Sequence, residues 1–103
     1  MSHLSVAKDF SRFPAGRYVA DGPFPGEVFR DNFLVTALRG GPVTVQLDGT
    51  FGYGSSFLEE ALGGLVRKCG FSSEQLHKLL TVQASDESLV IEVWSYIDAA
   101  THK

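Results

Sequence analysis

The sequence has few of the residues that form disulfides, membrane spans or basic surfaces. Cys69 is the single cysteine among 103 residues, which excludes an intrachain disulfide and a metal site built from several cysteines. Nine lysines and arginines are outnumbered by twelve aspartates and glutamates and form no cluster, so we expect no nucleic-acid partner. No apolar run approaches the roughly 18 residues of a membrane span. The N-terminus lacks the features of a signal peptide, so we expect a cytoplasmic protein without a membrane partner.

What the sequence does contain is enough apolar material for one core. The apolar share is 44% and the charged share is 20%, with a net charge of −3, which is ordinary for a globular protein. Because most domains have about 100–150 residues, we expect a single domain over residues 1–103.

Hydrophobic periodicity predicts alternating strands and helices. Residues 4–7 and 16–20 read as a hairpin around the Phe13–Gly16 turn. A helix follows from Glu27 to about Arg39 and ends at two glycines and a proline. The remaining elements are a strand at 43–47, a helix from 57 to 69, a short helical turn at 72–77, a strand at 79–83 and a last helix after Asp86. The order β-β-α-β-α-β-α predicts an α/β sandwich, with an about four-stranded mixed sheet covered by three main helices.

Catalytic and metal-binding patterns are weak in this chain. The histidines at positions 3, 77 and 102 share no spacing with carboxylates that would suggest a metal site or a triad. Cys69 lies on an apolar helix stripe, which favours an inert buried thiol. Asp48 follows a strand, where a catalytic carboxylate would lie in an open sheet, but it also suits a turn before Gly49. We therefore predict no catalytic residue, no metal and no cofactor.

The segment before the second long helix is rich in glycine and hydroxyl groups. Gly49 and Gly52 could form a nest of backbone N–H groups for an anion, with Asp48 beside it. The segment lacks the lysine of a nucleotide-binding P-loop, and the glycines could equally serve only to make a tight turn.

Two adjacent serines at the start of that helix differ in predicted role. Ser56 and Glu59 have the spacing of a capping box, which makes Ser56 the N-cap, with a cost of about 1 kcal/mol for its loss. Ser55 then lies one residue outside the helix with no structural role. A phosphate on Ser55 would meet the positive end of the helix dipole, so Ser55 is the candidate phospho-acceptor.

One face of the same helix is polar and unusually small. Its members are Ser56, Glu60, Gly63, Gly64 and Arg67, and each internal glycine costs up to about 1 kcal/mol relative to alanine. Either another helix of the same domain packs closely there, or a partner protein approaches the backbone beside Glu60 and Arg67.

These residues resemble a known family. The element order and Val45-Gln-Leu-Asp-Gly-Thr-Phe-Gly-Tyr-Gly-Ser-Ser-Phe57 resemble the STAS domain of anti-sigma factor antagonists, in which a partner kinase phosphorylates the serine matching Ser55. More closely, Arg17-Tyr-x-x-Asp-Gly-Pro23, Gly26-Glu27 and Gly52-Tyr-Gly-Ser-Ser-Phe-Leu-Glu-Glu-Ala61 resemble the STAS-like domain of unknown function. This chain has Gly54 where the antagonists have an aspartate, Phe57 in place of a glycine, and Gln46 where the strand aspartate would be.

The resemblance implies a regulatory protein-interaction module that is switched at Ser55. Its expected partner is a histidine-kinase-like ATPase or an anti-sigma-like protein. A structural homodimer built through the helix face that contains Gly63 and Gly64, called the glycine face, is a separate possibility that does not come from the resemblance. The predicted partner surface comprises Thr50, Tyr53, Gly54, Ser56, Glu60, Gly63, Gly64 and Arg67. The alternative function is binding of a small ligand or nucleotide, with the turn at residues 49–55 as the anion site.

Overall fold

Three short strands form a parallel sheet in the computed structural model, which describes residues 2–100. The strands are β1 (Ser2–Ser5), β2 (Val43–Gln46) and β3 (Leu80–Gln83), and they lie in the order β1-β2-β3. The central register aligns Leu4 with Val45 and Val45 with Val82. Strand β2 is therefore the central strand, as its β-branched residues predict.

In the described part of the chain, four helices join and follow the strands. Helix α1 covers residues 26–39 and contains a π-helical stretch, Arg30–Leu34, between α-helical segments. Helix α2 covers residues 55–67 and has a π-helical stretch at Glu59–Gly63. Helices α3 and α4 are Ser73–Leu79 and Glu87–Ala99. Shorter helical turns lie at Val6–Phe10 and Val19–Asp21. The predicted α/β class is confirmed, and no helix within residues 2–100 has the length and apolarity to cross a membrane.

The core lies where α1 and α2 meet the sheet. Phe29 of α1 and Phe57 of α2 are fully buried, with ring centroids 6.2 Å apart. Val45 of the central strand is also fully buried. This burial follows from the apolar stripes on both helices, which can leave water only by packing on one another and on the sheet.

The predicted hairpin and mixed sheet are wrong. Within residues 2–100 the sheet has three strands, all parallel, and residues 16–20 belong to none of them. Gly16 has a positive φ of 84°, and the N–H groups of Arg17 and Tyr18 donate to the Asp21 carboxylate at 3.1 and 2.9 Å. These N–H groups therefore form hydrogen bonds within a local turn and do not pair with a neighbouring strand.

The same segment instead covers the start of helix α1. The N–H groups of Gly26 and Glu27 donate to the carbonyls of Gly16 and Arg17, both at 2.9 Å. Backbone carbonyls thereby satisfy N–H groups of the first helical turn, which have no partner within the helix. Strand β1 is also displaced from its predicted range 4–7, because the chain turns into a helical segment at Val6.

Candidate functional site

The turn after strand β2, residues 48–54, is built on glycine conformations and is called the glycine turn below. Gly49 and Gly52 have φ values of 97° and 126°, which side-chain-bearing residues rarely adopt. A Cβ on Gly49 would also lie 3.0 Å from the Cβ of Ala7. The glycines are therefore required by the turn itself, as the simpler of the two sequence interpretations proposed.

Asp48 binds a neighbouring loop. Its carboxylate accepts from the Ser85 N–H at 3.0 and 3.1 Å and from the Ser85 hydroxyl at 2.7 Å. These hydrogen bonds lower the pKa of Asp48. The side chain thus connects the glycine turn to the loop between β3 and α4, a contact that neither sequence interpretation of Asp48 anticipated.

Three backbone N–H groups of the glycine turn already have acceptors within the protein. The Asp48 N–H donates to the Gln46 side chain at 3.0 Å, and the Gly52 N–H to the Thr50 hydroxyl at 3.3 Å. The Phe51 N–H donates to the Arg12 carbonyl at 2.9 Å. These N–H groups can bind an anion only by giving up their present partners, which weakens the predicted anion nest.

Tyr53 points its polar end inward. Its hydroxyl donates to the Leu47 carbonyl at 2.6 Å, and its ring lies 5.9 Å from that of Phe57. Mainly because of burial, the pKa of Tyr53 is raised to about 12. The phenol therefore stays protonated and keeps its hydrogen bond. This half-buried residue fastens the glycine turn to the core.

The serine pair lies inside helix α2, and the predicted capping box is wrong. Gly54 is the N-cap, with an extended φ and ψ of −80° and 150°, and Ser55 is the first helical residue. The Glu59 side chain binds Arg17 and Arg67 and does not reach back to the N-cap. Ser55 and Ser56 are both exposed, so both hydroxyls are accessible at the positive end of the helix.

The small, polar face of α2 is covered by the protein itself. Gly63 and Gly64 are buried, and Glu60 has no exposed surface. A Cβ on Gly64 would lie 2.6 Å from the Arg30 Nη1 of α1, and one on Gly63 would lie 3.3 Å from the Tyr96 carbonyl of α4. The interpretation that another helix of the same domain packs on this face is therefore confirmed, and these three positions are not an exposed partner surface.

An ion-pair cluster fills that contact. Glu59 accepts from Arg17 and Arg67, each at 2.5 Å. Glu60 pairs with the buried Arg30 and with Lys68 at 3.1 Å, and it lies 3.2 Å from Arg67.

Burial alone would raise the pKa values of both glutamates. Their hydrogen bonds and ion pairs with the surrounding cations outweigh burial, so both pKa values are lowered. The cluster is thus ionised on both sides and holds α1, α2 and the Arg17 segment together.

The cationic members of this cluster were only partly predictable. Glu59 and Glu60 lie eight residues before Arg67 and Lys68, which places both pairs on one helix face. Arg17 and Arg30 reach the cluster through tertiary contacts, and no local spacing indicates them.

A second polar region lies where β1 and β2 end. A cavity of about 340 Å³ opens there between the helical turn after β1 and the glycine turn. It is lined by Ser5, Ala7, Lys8, Arg12, Gln46, Asp48 and Gly49, and we call it the carboxyl-edge pocket. Sequence reasoning missed Lys8 and Arg12, because two isolated cations in an unassigned segment give no motif.

Two exposed aromatic rings lie next to this pocket along the chain. Phe13 and Phe51 are 65% and 77% exposed, and their rings stack with centroids 4.7 Å apart. The hydrogen bond from the Phe51 N–H to the Arg12 carbonyl joins the loops that carry the two rings. Large exposed apolar groups in a contiguous pair are typical of contact surfaces, although the sequence analysis gave neither ring a role.

Other candidate chemistry stays apart from these regions. Cys69 is half-buried, and burial raises the pKa of its thiol. Residues 2–100 contain no group of three or more histidine, cysteine or acidic side chains that could hold a metal ion. His77 stacks on Trp94 and contacts Asp98 at 2.8 Å, and His102 lies outside the described residues.

Comparison with known proteins supports the resemblance seen in the sequence. A family model described as a STAS-like domain of unknown function (DUF4325) matches residues 25–89. The match extends from the start of α1 into α4 and includes the glycine turn and α2, whereas the Arg17–Pro23 part of the resemblance lies outside it. No curated protein and no solved structure matches the chain significantly.

Proposed function

Since the chain belongs to the family of STAS-like domains of unknown function, we propose that it is a regulatory module that binds a protein partner. The contact surface is the exposed start of helix α2 together with the Phe13–Phe51 pair. The observation that carries this proposal is the accessible Ser55 hydroxyl at the first helical position, next to a turn that also exposes Phe51.

The surface is smaller than the sequence predicted and lies at one end of the helix. Gly54, Ser55 and Ser56 are exposed, and Thr50 is partly exposed. Glu60, Gly63 and Gly64 are interior, and the Arg67 side chain is only 20% exposed and is held by Glu59. A partner therefore contacts the first turn of α2 and the two aromatic rings instead of the glycine face.

Phosphorylation of Ser55 is a suitable switch for such a contact. A phosphate adds about −1.5 to −2 charges at neutral pH. At the first position of α2 this charge is favoured by the helix dipole, so the modification would leave the fold intact. It would oppose binding by bringing charge into an interface that includes Phe51. By analogy with anti-sigma factor antagonists, the partner is a histidine-kinase-like ATPase or an anti-sigma-like protein.

The test is recovery of the partner from the native cells with tagged variants of the full chain. We expect Ser55→Ala to retain the partner, and Ser55→Asp and Phe51→Ala to lose it. Ile91→Ala is the matched control, because Ile91 is also a large exposed apolar residue, 69% exposed, but lies on α4. Equal recovery with all four variants would refute the surface, and the absence of a phosphorylated peptide covering residues 50–67 in the native protein would refute the switch.

The other predicted functions receive less support. In the turn at residues 49–55, the Phe51 and Gly52 N–H groups already donate hydrogen bonds within the protein, so a nucleotide or ligand that used them would have to displace two hydrogen bonds. A homodimer built on the glycine face would have to separate α2 from α1 and α4. The mass of the protein in solution, measured by light scattering, tests for a dimer through another surface.

A further inference from the structure

The carboxyl-edge pocket combines a built cavity with a surplus of hydrogen-bond donors. Three segments enclose it: the end of β1, the helical turn with the residues up to Arg12, and the end of β2 with the glycine turn. Its volume of about 340 Å³ is at the lower end of the range for small-molecule sites. A ligand of this size is a metabolite and not a polymer.

Side-chain acceptors of the pocket already accept hydrogen bonds from the protein. The Ser5 hydroxyl oxygen accepts from the Lys8 N–H at 3.2 Å, and the Gln46 side-chain oxygen accepts from the Asp48 N–H at 3.0 Å. Asp48 itself accepts three hydrogen bonds from Ser85. Ser5 and Gln46 also carry a hydroxyl proton and an amide NH₂ group, which are both donors.

The charges of the pocket point to the same conclusion. Two carboxylates lie nearby and keep their negative charge, but their oxygens are engaged within the protein: Asp9 accepts from the Ser5 N–H at 2.7 Å, and Asp48 accepts from Ser85. Lys8 and Arg12 are exposed, and among residues 2–100 neither has an ion-pair partner within 4.0 Å. The pocket therefore presents two cations that are free to pair with a ligand, beside the Asp48 carboxylate, which is engaged with Ser85.

We propose that the carboxyl-edge pocket binds a small organic anion through Lys8 and Arg12, with Ser5 and Gln46 donating further hydrogen bonds. The recognised group is a phosphate or a carboxylate, because both accept several charged hydrogen bonds at once. Phe13 follows Arg12 directly, and the Phe51 N–H donates a hydrogen bond to the Arg12 carbonyl. An aromatic or apolar group attached to the anion can therefore contact the stacked rings. This site shares the Phe13–Phe51 pair with the partner surface but does not include Ser55, the switch of that surface.

The experiment is an amide NMR titration of the full chain with phenyl phosphate in one arm and benzoate in the other. Sodium chloride at matched ionic strength is the reference. We expect saturable shifts of the Ser5, Lys8 and Gly49 amides in at least one arm, and the stronger arm identifies the anion class. The Arg12→Gln variant should weaken that binding by about tenfold, as expected for loss of a charged hydrogen bond.

The matched control is Arg39→Gln, which removes the same charge from an exposed position at the end of α1. It should bind the probe as the wild type does, and Lys8→Gln should weaken binding as Arg12→Gln does. All variants keep the wild-type fold if the remaining amide shifts are unchanged. Shifts no larger than those with sodium chloride, or equal weakening by Arg12→Gln and Arg39→Gln, would overturn the proposal. Loss of partner binding in Ser55→Asp with unchanged anion binding would show that the anion site does not depend on the Ser55 switch.

Discussion

Helix α2 carries polar residues in its first turn and again one turn later, and the two sets have opposite surroundings. Ser55 and Ser56 are exposed, whereas Glu60 is fully buried in an ion-pair cluster. Ser56 and Glu60 are four residues apart and share one face of the helix. The start of α1 separates them, because Gly26 lies against the α2 backbone at Phe57 and Ala61. Beyond that crossing, Glu60 and the two internal glycines are interior, whereas the two serines before it are available for contact.

The comparison shows that a polar stripe on a helix does not by itself define a surface. Charged side chains can lie inside when partners of opposite charge arrive from other segments, as Arg30 does for Glu60. The substitutions below test whether the two ends of α2 differ in energy as they differ in burial.

The largest expected effect is that of Glu60→Ala at the buried end. Removing this carboxylate leaves Arg30, whose side chain is 4% exposed, with Asp31 as its only anionic partner among residues 2–100. Breaking a buried pair from one side typically costs about 3–5 kcal/mol. We expect a loss of this size in the free energy of unfolding, measured by urea denaturation at pH 7.

Glu74→Ala is the control for that substitution. Glu74 also forms an ion pair, with Lys78 at 3.8 Å, but its side chain is 84% exposed. Exposed pairs contribute at most about 1 kcal/mol, so the control should unfold close to the wild type. Similar losses for Glu60→Ala and Glu74→Ala would show that the cluster is not an interior feature.

Gly26→Ala should be the next most damaging change, because it acts on the crossing itself. An added Cβ would lie 2.6 Å from the Phe57 carbonyl and 3.0 Å from the Ala61 nitrogen, which are both backbone atoms of α2. The helices must then move apart, and overpacking of this kind costs about 1–3 kcal/mol. Thermal unfolding followed by circular dichroism measures the loss.

Gly40→Ala provides the matched glycine control. Gly40 has a right-handed helical backbone, with φ −87° and ψ −8°, and a Cβ there would meet its nearest neighbour at 3.4 Å. Alanine at such a position is neutral or stabilises by about 0.4–1 kcal/mol. If Gly26→Ala is as stable as Gly40→Ala, the α1–α2 contact is looser than described.

Lowering the pH should reduce the free energy of unfolding through the buried ion pairs of α2, by less than the substitution Glu60→Ala does. Glu59 and Glu60 have lowered pKa values in the folded protein, so the unfolded chain binds protons more readily. Their stabilisation is complete above the unfolded pKa of about 4.3 and is lost as pH falls through the lower folded values. Urea denaturation between pH 6 and 3 should show this loss, with a shallower dependence in Glu60→Gln. Parallel curves for the two proteins would contradict the assignment to Glu60.

Local periodicity predicted much of the fold, and long-range contacts explain most of what it missed. The apolar stripes located α1, α2 and α4, and the β-branched run located β2, because each pattern depends only on neighbours in sequence. The segment around Arg17 was misread as a strand because its partners are Asp21 and the first turn of α1. A strand prediction cannot detect such a competing use of the same N–H groups.

The candidate site shows the same limit. The sequence identified Ser55 and the glycine turn, since a strand, a glycine-rich turn and a helix start are local signals. It did not identify Lys8 or Arg12, which reach the carboxyl-edge pocket only because β1 and β2 pair in parallel. For Glu60 and the two internal glycines it left open whether a helix of the same domain or a partner protein covers them, because the burying segments are distant in sequence.

The smallest expected effect is that of Ser56→Ala at the exposed end, and it distinguishes the two accounts of this helix start. If Ser56 were the N-cap, its loss would cost about 1 kcal/mol. The structure gives that position to Gly54 and makes Ser56 an exposed first-turn residue, so we expect a change within about 0.5 kcal/mol. Urea denaturation is sufficiently precise when the variant is compared with Ser72→Ala. Ser72 caps α3 by accepting from the Gln75 N–H at 3.0 Å, and its loss should therefore cost more than that of Ser56. If Ser56→Ala instead lost more free energy of unfolding than Ser72→Ala, Ser56 would be the N-cap and Ser55 would lie outside the helix.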